Sequence, residues 1–196
     1  MVNDNNYVVA DLIADWLEKN DIKIVFGIIG SANSYIFNSI VKKGFTKIVY
    51  MHHEQSVVMA AGSYYRSSGN ISAALVTAGA GVANAVTGAL SNWDDSIPCI
   101  ILSGQESSFY FDIHSKVRML GTQGIKITDM VKSITKYSTI VTNKDLMLDS
   151  LEQAKKISLS GRPGPVWVDI PFDIQSSKVE MPNWDLLDED CETQFK

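Results

Sequence analysis

Two hydrophobic periods alternate along the chain. Val9, Leu12, Ile13, Trp16 and Leu17 follow the three-and-four spacing of a helix with one buried face. Ile24 to Phe26 is a short apolar run closed by Gly27, and Asn33 or Ser34 is placed to cap a helix reaching about Lys43. Lys47 to Met51 reads as a buried strand, and the helix from Gln55 ends near Gly69, a residue suited to the left-handed position after a helix. Ala73 to Val76 and Cys99 to Leu102 are further strands; Val82, Ala85, Val86, Ala89 and Leu90 between them repeat at helical spacing up to Trp93. Residues 104–124 carry no clear period. Ile127 to Val131 then reads as a short helix, Tyr137 to Val141 as a strand, and Met147, Leu151, Ala154 and Ile157 as a helix stopped by Gly161. Pro165 to Ile170 is the sixth strand.

Near-continuous apolar strands separated by helix-length segments predict an α/β fold, doubly wound, with a mostly parallel six-stranded sheet covered on both faces. After Pro171 the pattern fades into a polar, acidic stretch, so residues 1–173 are expected to form one domain and 174–196 a linker. Composition narrows the function. A net charge of −5 with no basic cluster argues against nucleic acid. No run approaches the ~18 apolar residues of a membrane span, and the start of the chain has neither a basic nor an apolar leader segment. Two cysteines, Cys99 and Cys191, form no disulfide framework, which suits a reducing, cytoplasmic setting.

The chemistry gathers where strands end. Lys47 to Met51 stops at His52, His53 and Glu54, so Glu54 sits at a strand-to-helix junction. In open parallel sheets ligands bind beyond the carboxyl ends of the strands, beside helix N-termini. Glu54 is therefore either a ligand-facing acid or simply the cap of its helix. Thr77-Ala-Gly-Ala-Gly81 also follows a strand and opens a helix, but it misses the third glycine of the dinucleotide fingerprint. Its small residues, with Thr77 and Asn84 on either side, suit the edge of a flat heteroaromatic ring. His52, His53 and His114 lack neighbouring cysteines or paired carboxylates, so no metal site is expected within this chain.

The segments VFGIIGSAN, MHHEQSVVMAAGSYYRSSGN, ALVTAGAGVANAVTGALSNWDDSIPCIILSGQ and SGRPGPVWVDIP resemble, in order and spacing, the N-terminal pyrimidine-binding domain of thiamine diphosphate enzymes of the acetolactate synthase and pyruvate oxidase group, over about residues 8–173. The resemblance implies that Glu54 hydrogen-bonds N1′ of the aminopyrimidine and relays a proton there. It implies that Ile29 and Gly30 lie over that ring, that Thr77, Gly81 and Asn84 line its edge, and that Gln123 faces the reacting carbon, with Gln105 a further candidate. It also implies a 2-oxo acid substrate such as pyruvate, a homodimer through this domain, and a partner domain holding the diphosphate with Mg²⁺.

Some residues depart from the family pattern. Ile29 and Ala80 stand where proline is usual and Ser31 where a second glycine is usual, and Gly121 to Gln123 lacks the paired histidine of pyruvate decarboxylases. Carboligation is therefore expected over simple decarboxylation. The GDG motif that opens the family's diphosphate site is absent from the 196 residues, so the chain alone is expected to be inactive. Two alternatives remain open here: the small subunit of a split 2-oxo acid decarboxylase, and a non-catalytic dinucleotide-binding module.

Overall fold

In a computed structural model, residues 6–113 and 118–184 are described; His114 and Cys191 lie outside them. The elements in chain order are α1 (Val9–Lys19), β1 (Ile24–Gly27), α2 (Ser34–Lys43), β2 (Lys47–Tyr50), α3 (Glu54–Ser68), β3 (Ala73–Val76), α4 (Ala80–Asn84), α5 (Val86–Asp94), β4 (Cys99–Gln105), α6 (Phe109–Ile113), α7 (Ile127–Val131), β5 (Tyr137–Ile140), α8 (Met147–Leu159), β6 (Pro165–Pro171) and α9 (Phe172–Gln175). The strands form one all-parallel sheet in the order β2-β1-β3-β4-β6-β5. The expected α/β doubly wound fold is the one observed.

The strands feed two cores because their side chains alternate faces. Ala73, Leu75, Ile100, Leu102, Val166 and Val168 join the core shared with α1, α2 and α8. Ala74, Val76, Cys99, Ile101 and Trp167 join the core under α3, α5 and α7. The central strands β3, β4 and β6 are buried on both faces. Their sequences therefore run apolar through Ala73–Val76, Cys99–Leu102 and Pro165–Val168 rather than alternating, with Ser103, Gln105 and Asp169 as buried polar residues toward the strand ends.

Two readings are corrected. The run at Lys47 is an edge strand: Lys47 and Tyr50 are exposed, and Ile48 and Val49 are half-buried. Among the described residues only β1 flanks it, and an apolar run four residues long does not reveal how many neighbours it has. The helical stretch from Val82 to Trp93 is broken at Ala85, whose N–H bonds the Val82 carbonyl three residues back, a tighter turn than the α-helical one. Beyond β6 the described chain runs along the body as far as Val179. It turns through α9, and Ser177, Lys178 and Val179 lie beside Tyr7, Val8 and Val9 through Val9 N–H to Ser177 O and Val179 N–H to Tyr7 O. That docking uses backbone groups and scattered apolar residues, so it leaves no periodic signal.

Sheet order places the ligand crevice. From β1 the chain goes outward to β2 and then back across to β3, so the direction of winding reverses between β1 and β3. The loops leaving these two strands diverge there, opening a crevice at their carboxyl ends.

Candidate functional site

The crevice is built from three loops. Beyond β1, Ile28 continues the ladder by donating its N–H to Leu75 O, after which the chain turns up through Ile29 and Gly30. Asn33 braces this turn: Gly30 N–H donates to Asn33 Oδ1 at 2.8 Å, and Asn33 Nδ2 donates to Ile28 O at 3.1 Å. Asn33 precedes α2, as the capping pattern requires, yet its side chain does not cap that helix. It is fully buried and fixes the shape of the loop instead. Ile29, held at the apex, is 58% exposed, an apolar surface left open by the described residues.

Beyond β2, Glu54 is the first residue of α3 and 9% exposed. The helix cap is His53, whose Nδ1 accepts from Gln55 N–H at 3.2 Å. Glu54 is thereby released from the capping role that its position allowed. Its Oε2 accepts from Asn84 Nδ2 at 3.1 Å instead. The carboxylate thus points across to the third loop rather than back along its own helix.

Beyond β3, Gly79 takes a left-handed φ of +73° that lets the chain double back into α4. Two glycines leave room at the centre. A Cβ on Gly81 would lie 2.8 Å from Glu54 Oε1 and 3.1 Å from Thr77 Cγ2, and a Cβ on Gly30 would overlap the Thr77 side chain. Gly30, Glu54, Thr77, Gly81 and Asn84 therefore gather into one cluster, and Ile29 stands at its edge. Within it Thr77 Oγ1 is buried and has no hydrogen-bond partner among the described residues. Burying an unpaired hydroxyl costs about 1–3 kcal/mol, so a ligand group that pairs with it recovers that cost. An orphan hydroxyl, a carboxylate, a carboxamide and an uncovered apolar residue around a cradle without Cβ atoms suit a flat, nitrogen-bearing ring.

Gln123 reaches the rim of the same crevice. A Cβ on Gly79 would meet Gln123 O at 2.9 Å and Gln123 Cβ at 3.2 Å. Gln105 does not join it. Gln105 is 1% exposed, and its amide is consumed by Asp169, the Ile125 carbonyl and the Glu106 N–H. It faces the α7 side of the sheet, as register demands of a residue two beyond Ser103. Burial pushes the Asp169 carboxyl up to about 7, against the opposing pull of the Ser103 and Gln105 donors. Asn33 and Glu106 were missed as site-shaping residues in the sequence. The first carries a signal, an asparagine three residues after a loop glycine; the second carries none, because its partner is the backbone of Gln123.

No group of three or more His, Cys, Asp or Glu side chains is placed to hold a metal among the described residues. Nor is any of their helices long and apolar enough to cross a membrane.

Comparison with known proteins places the chain in a family. Residues 8–133 match the family model "Thiamine pyrophosphate enzyme, N-terminal TPP binding domain". The chain is 34% identical over 179 residues to "Acetolactate synthase 3, chloroplastic" of Brassica napus, covering 90% of this chain and 26% of that protein. It is also 34% identical over 176 residues to "Acetolactate synthase large subunit" of Haemophilus influenzae, covering 88% of this chain and 29% of the relative. The chain spans about a quarter of the length of these relatives. The match takes in all three loops of the crevice, and the chain belongs to the thiamine pyrophosphate enzyme family as an N-terminal TPP-binding domain.

Proposed function

We propose that this domain holds the aminopyrimidine half of thiamine diphosphate within an acetolactate-synthase-like enzyme that decarboxylates a 2-oxo acid such as pyruvate and joins the fragment to a second carbonyl compound. The observation that carries the reading is the release of Glu54 from helix capping into a crevice that also holds an unpartnered hydroxyl. Bound thiamine diphosphate supplies a carbon nucleophile and an electron sink for such acids. This chain's residues supply the setting. Glu54 holds a proton at ring nitrogen N1′, and Asn84 orients the carboxylate for it. Thr77 pairs with the ring edge, Ile29 covers the ring face, and the bare Cα atoms of Gly30 and Gly81 give it room. Gln123, at the rim, meets the substrate side.

The diphosphate and Mg²⁺ belong in this reading to a separate domain, since no GDG occurs in these 196 residues. Exposed Met59, Leu90 and Trp93, on α3 and α5, favour association of two copies through this domain. The test is turnover. Pure chain with pyruvate, thiamine diphosphate and Mg²⁺ is expected to form no acetolactate or acetaldehyde above a protein-free control. Full-length polypeptide carrying this domain is expected to form acetolactate. Product from the chain alone, or none from the full-length enzyme with any 2-oxo acid, would overturn the reading.

A further inference from the structure

Four side chains beside the crevice form a directed network that the cofactor reading leaves unused. Ile101 pairs in register with Trp167, and Ser103 with Asp169, so the odd-numbered residues of β4 and β6 share one face. Trp167 Nε1 donates to Ser103 Oγ at 2.8 Å. The Ser103 hydroxyl in turn donates to Asp169 Oδ1. Gln105 Nε2 donates both to Asp169 Oδ2 at 2.8 Å and to Ile125 O at 2.8 Å, while its Oε1 accepts from Glu106 N–H at 3.0 Å. Both ends of the Gln105 amide are committed, which gives it one orientation. A flipped amide would set its oxygen against the Asp169 carboxylate and the Ile125 carbonyl together.

That orientation governs a turn. Leu120 and Gly124 exchange backbone hydrogen bonds at 3.1 and 2.7 Å, closing the segment that contains Gln123. Gln123 N–H donates to Glu106 Oε1 at 3.2 Å. A Cβ on Gly124 would meet Leu120 O at 2.6 Å and Gln105 Oε1 at 2.9 Å, so the turn lies directly on Gln105. The anchors of residues 120–125 thus come from the last residue of β4 and the one after it.

We propose that Asp169, acting through Gln105, is a positioning residue that fixes the 120–125 turn and with it the place of Gln123 at the rim of the crevice. The inference rests on the reading of Gln123 as substrate-facing. A buried carboxyl group is costly compared with an apolar residue that would join β4 to β6 equally well, so packing of the strands does not account for an acid here. Its two oxygens do: they accept from Ser103 and Gln105 at once. Asparagine offers one acceptor, so one donor loses its partner, and Gln105 is free to turn over.

The test uses the full-length enzyme with Asp169→Asn and, separately, the near-isosteric Gln105→Met. In cofactor-free protein, amide hydrogen exchange in 120–125 is expected to speed up at least about tenfold, while β1 and β3 keep their protection. In loaded enzyme, kcat is expected to fall roughly 10- to 100-fold, with the KM for thiamine diphosphate within about twofold of the parent, because the Glu54 cluster is untouched. In a Gln123→Ala background, Asp169→Asn should change kcat by no more than about twofold, as expected of residues acting through one another. Unchanged exchange in 120–125 beside a slow Gln123→Ala enzyme would overturn the positioning. So would additive losses, or a rise in exchange across the whole sheet. A loosened turn with a fully active Gln123→Ala enzyme would instead overturn the reading of Gln123 on which the inference rests. Should Asp169→Asn fail to fold, Gln105→Met is measured in its place, and each outcome supports or overturns the positioning in the same way.

Discussion

Glu54→Gln in the full-length enzyme is expected to slow exchange of the cofactor's C2 proton by at least about 100-fold, the scale of losing a general acid-base group. Glutamine keeps the size of the side chain and an oxygen that still accepts from Asn84. It cannot hold and release the proton at N1′. Stability should barely move, because the cap of α3 is His53 and survives the substitution. If Glu54 served the helix alone, the pattern would reverse: near-normal chemistry and a stability loss of about 1 kcal/mol. Deuterium exchange at C2, followed by NMR after acid quench and set beside a thermal melt, separates the two. Exchange within about threefold of the parent, a difference of under about 1 kcal/mol, would remove Glu54 from its role.

Gly81→Ala is expected to be nearly as damaging without touching an ionisable group. The new methyl would stand 2.8 Å from Glu54 Oε1 and 3.1 Å from Thr77 Cγ2, so the carboxylate must give way. A displacement of about 1 Å at a reacting group costs on the order of 100-fold in rate. Affinity for thiamine diphosphate should fall too, since the methyl takes space meant for the ring. Local unfolding does not explain such a loss. Gly81 is the second residue of the five-residue α4, a helical position that alanine adopts at no propensity cost. The expected result is a slow, weakly loaded enzyme with an unchanged or raised Tm. Rates measured across cofactor concentrations, beside a melt, check it; parental rates with a raised Tm would show that the cradle is not needed.

The elements with strong periodicity were legible in the sequence. α1 announces itself because five apolar residues must share one buried face, and β3, β4 and β6 because strands covered on both sides carry apolar runs in place of alternation. Lys47 to Tyr50 misled on burial for the same reason: its β-branched residues say strand, but the number of neighbours depends on chain order across the sheet. Within the site, Gly30, Glu54, Thr77, Gly81 and Asn84 could be proposed as a set from motif order, and the fold brings them together. Gln105 could not be separated from Gln123 in that way. Both are glutamines in an irregular stretch, and only the register of β4 against β6 turns the first toward Asp169. His53 as the cap of α3 was equally hidden, since histidine is an uncommon choice there and Glu54 is a common first-turn residue.

On the function proposed above, the three loops receive the pyrimidine ring with its N1′ at Glu54. A structure of the full-length enzyme with thiamine diphosphate bound tests it most directly. A Glu54 carboxylate oxygen is expected about 2.6–3.0 Å from N1′, with the ring edge against Thr77 and Asn84 and its face under Ile29. A ring bound elsewhere, with Glu54 still bonded only to Asn84 and Thr77 Oγ1 still unpaired, would contradict it.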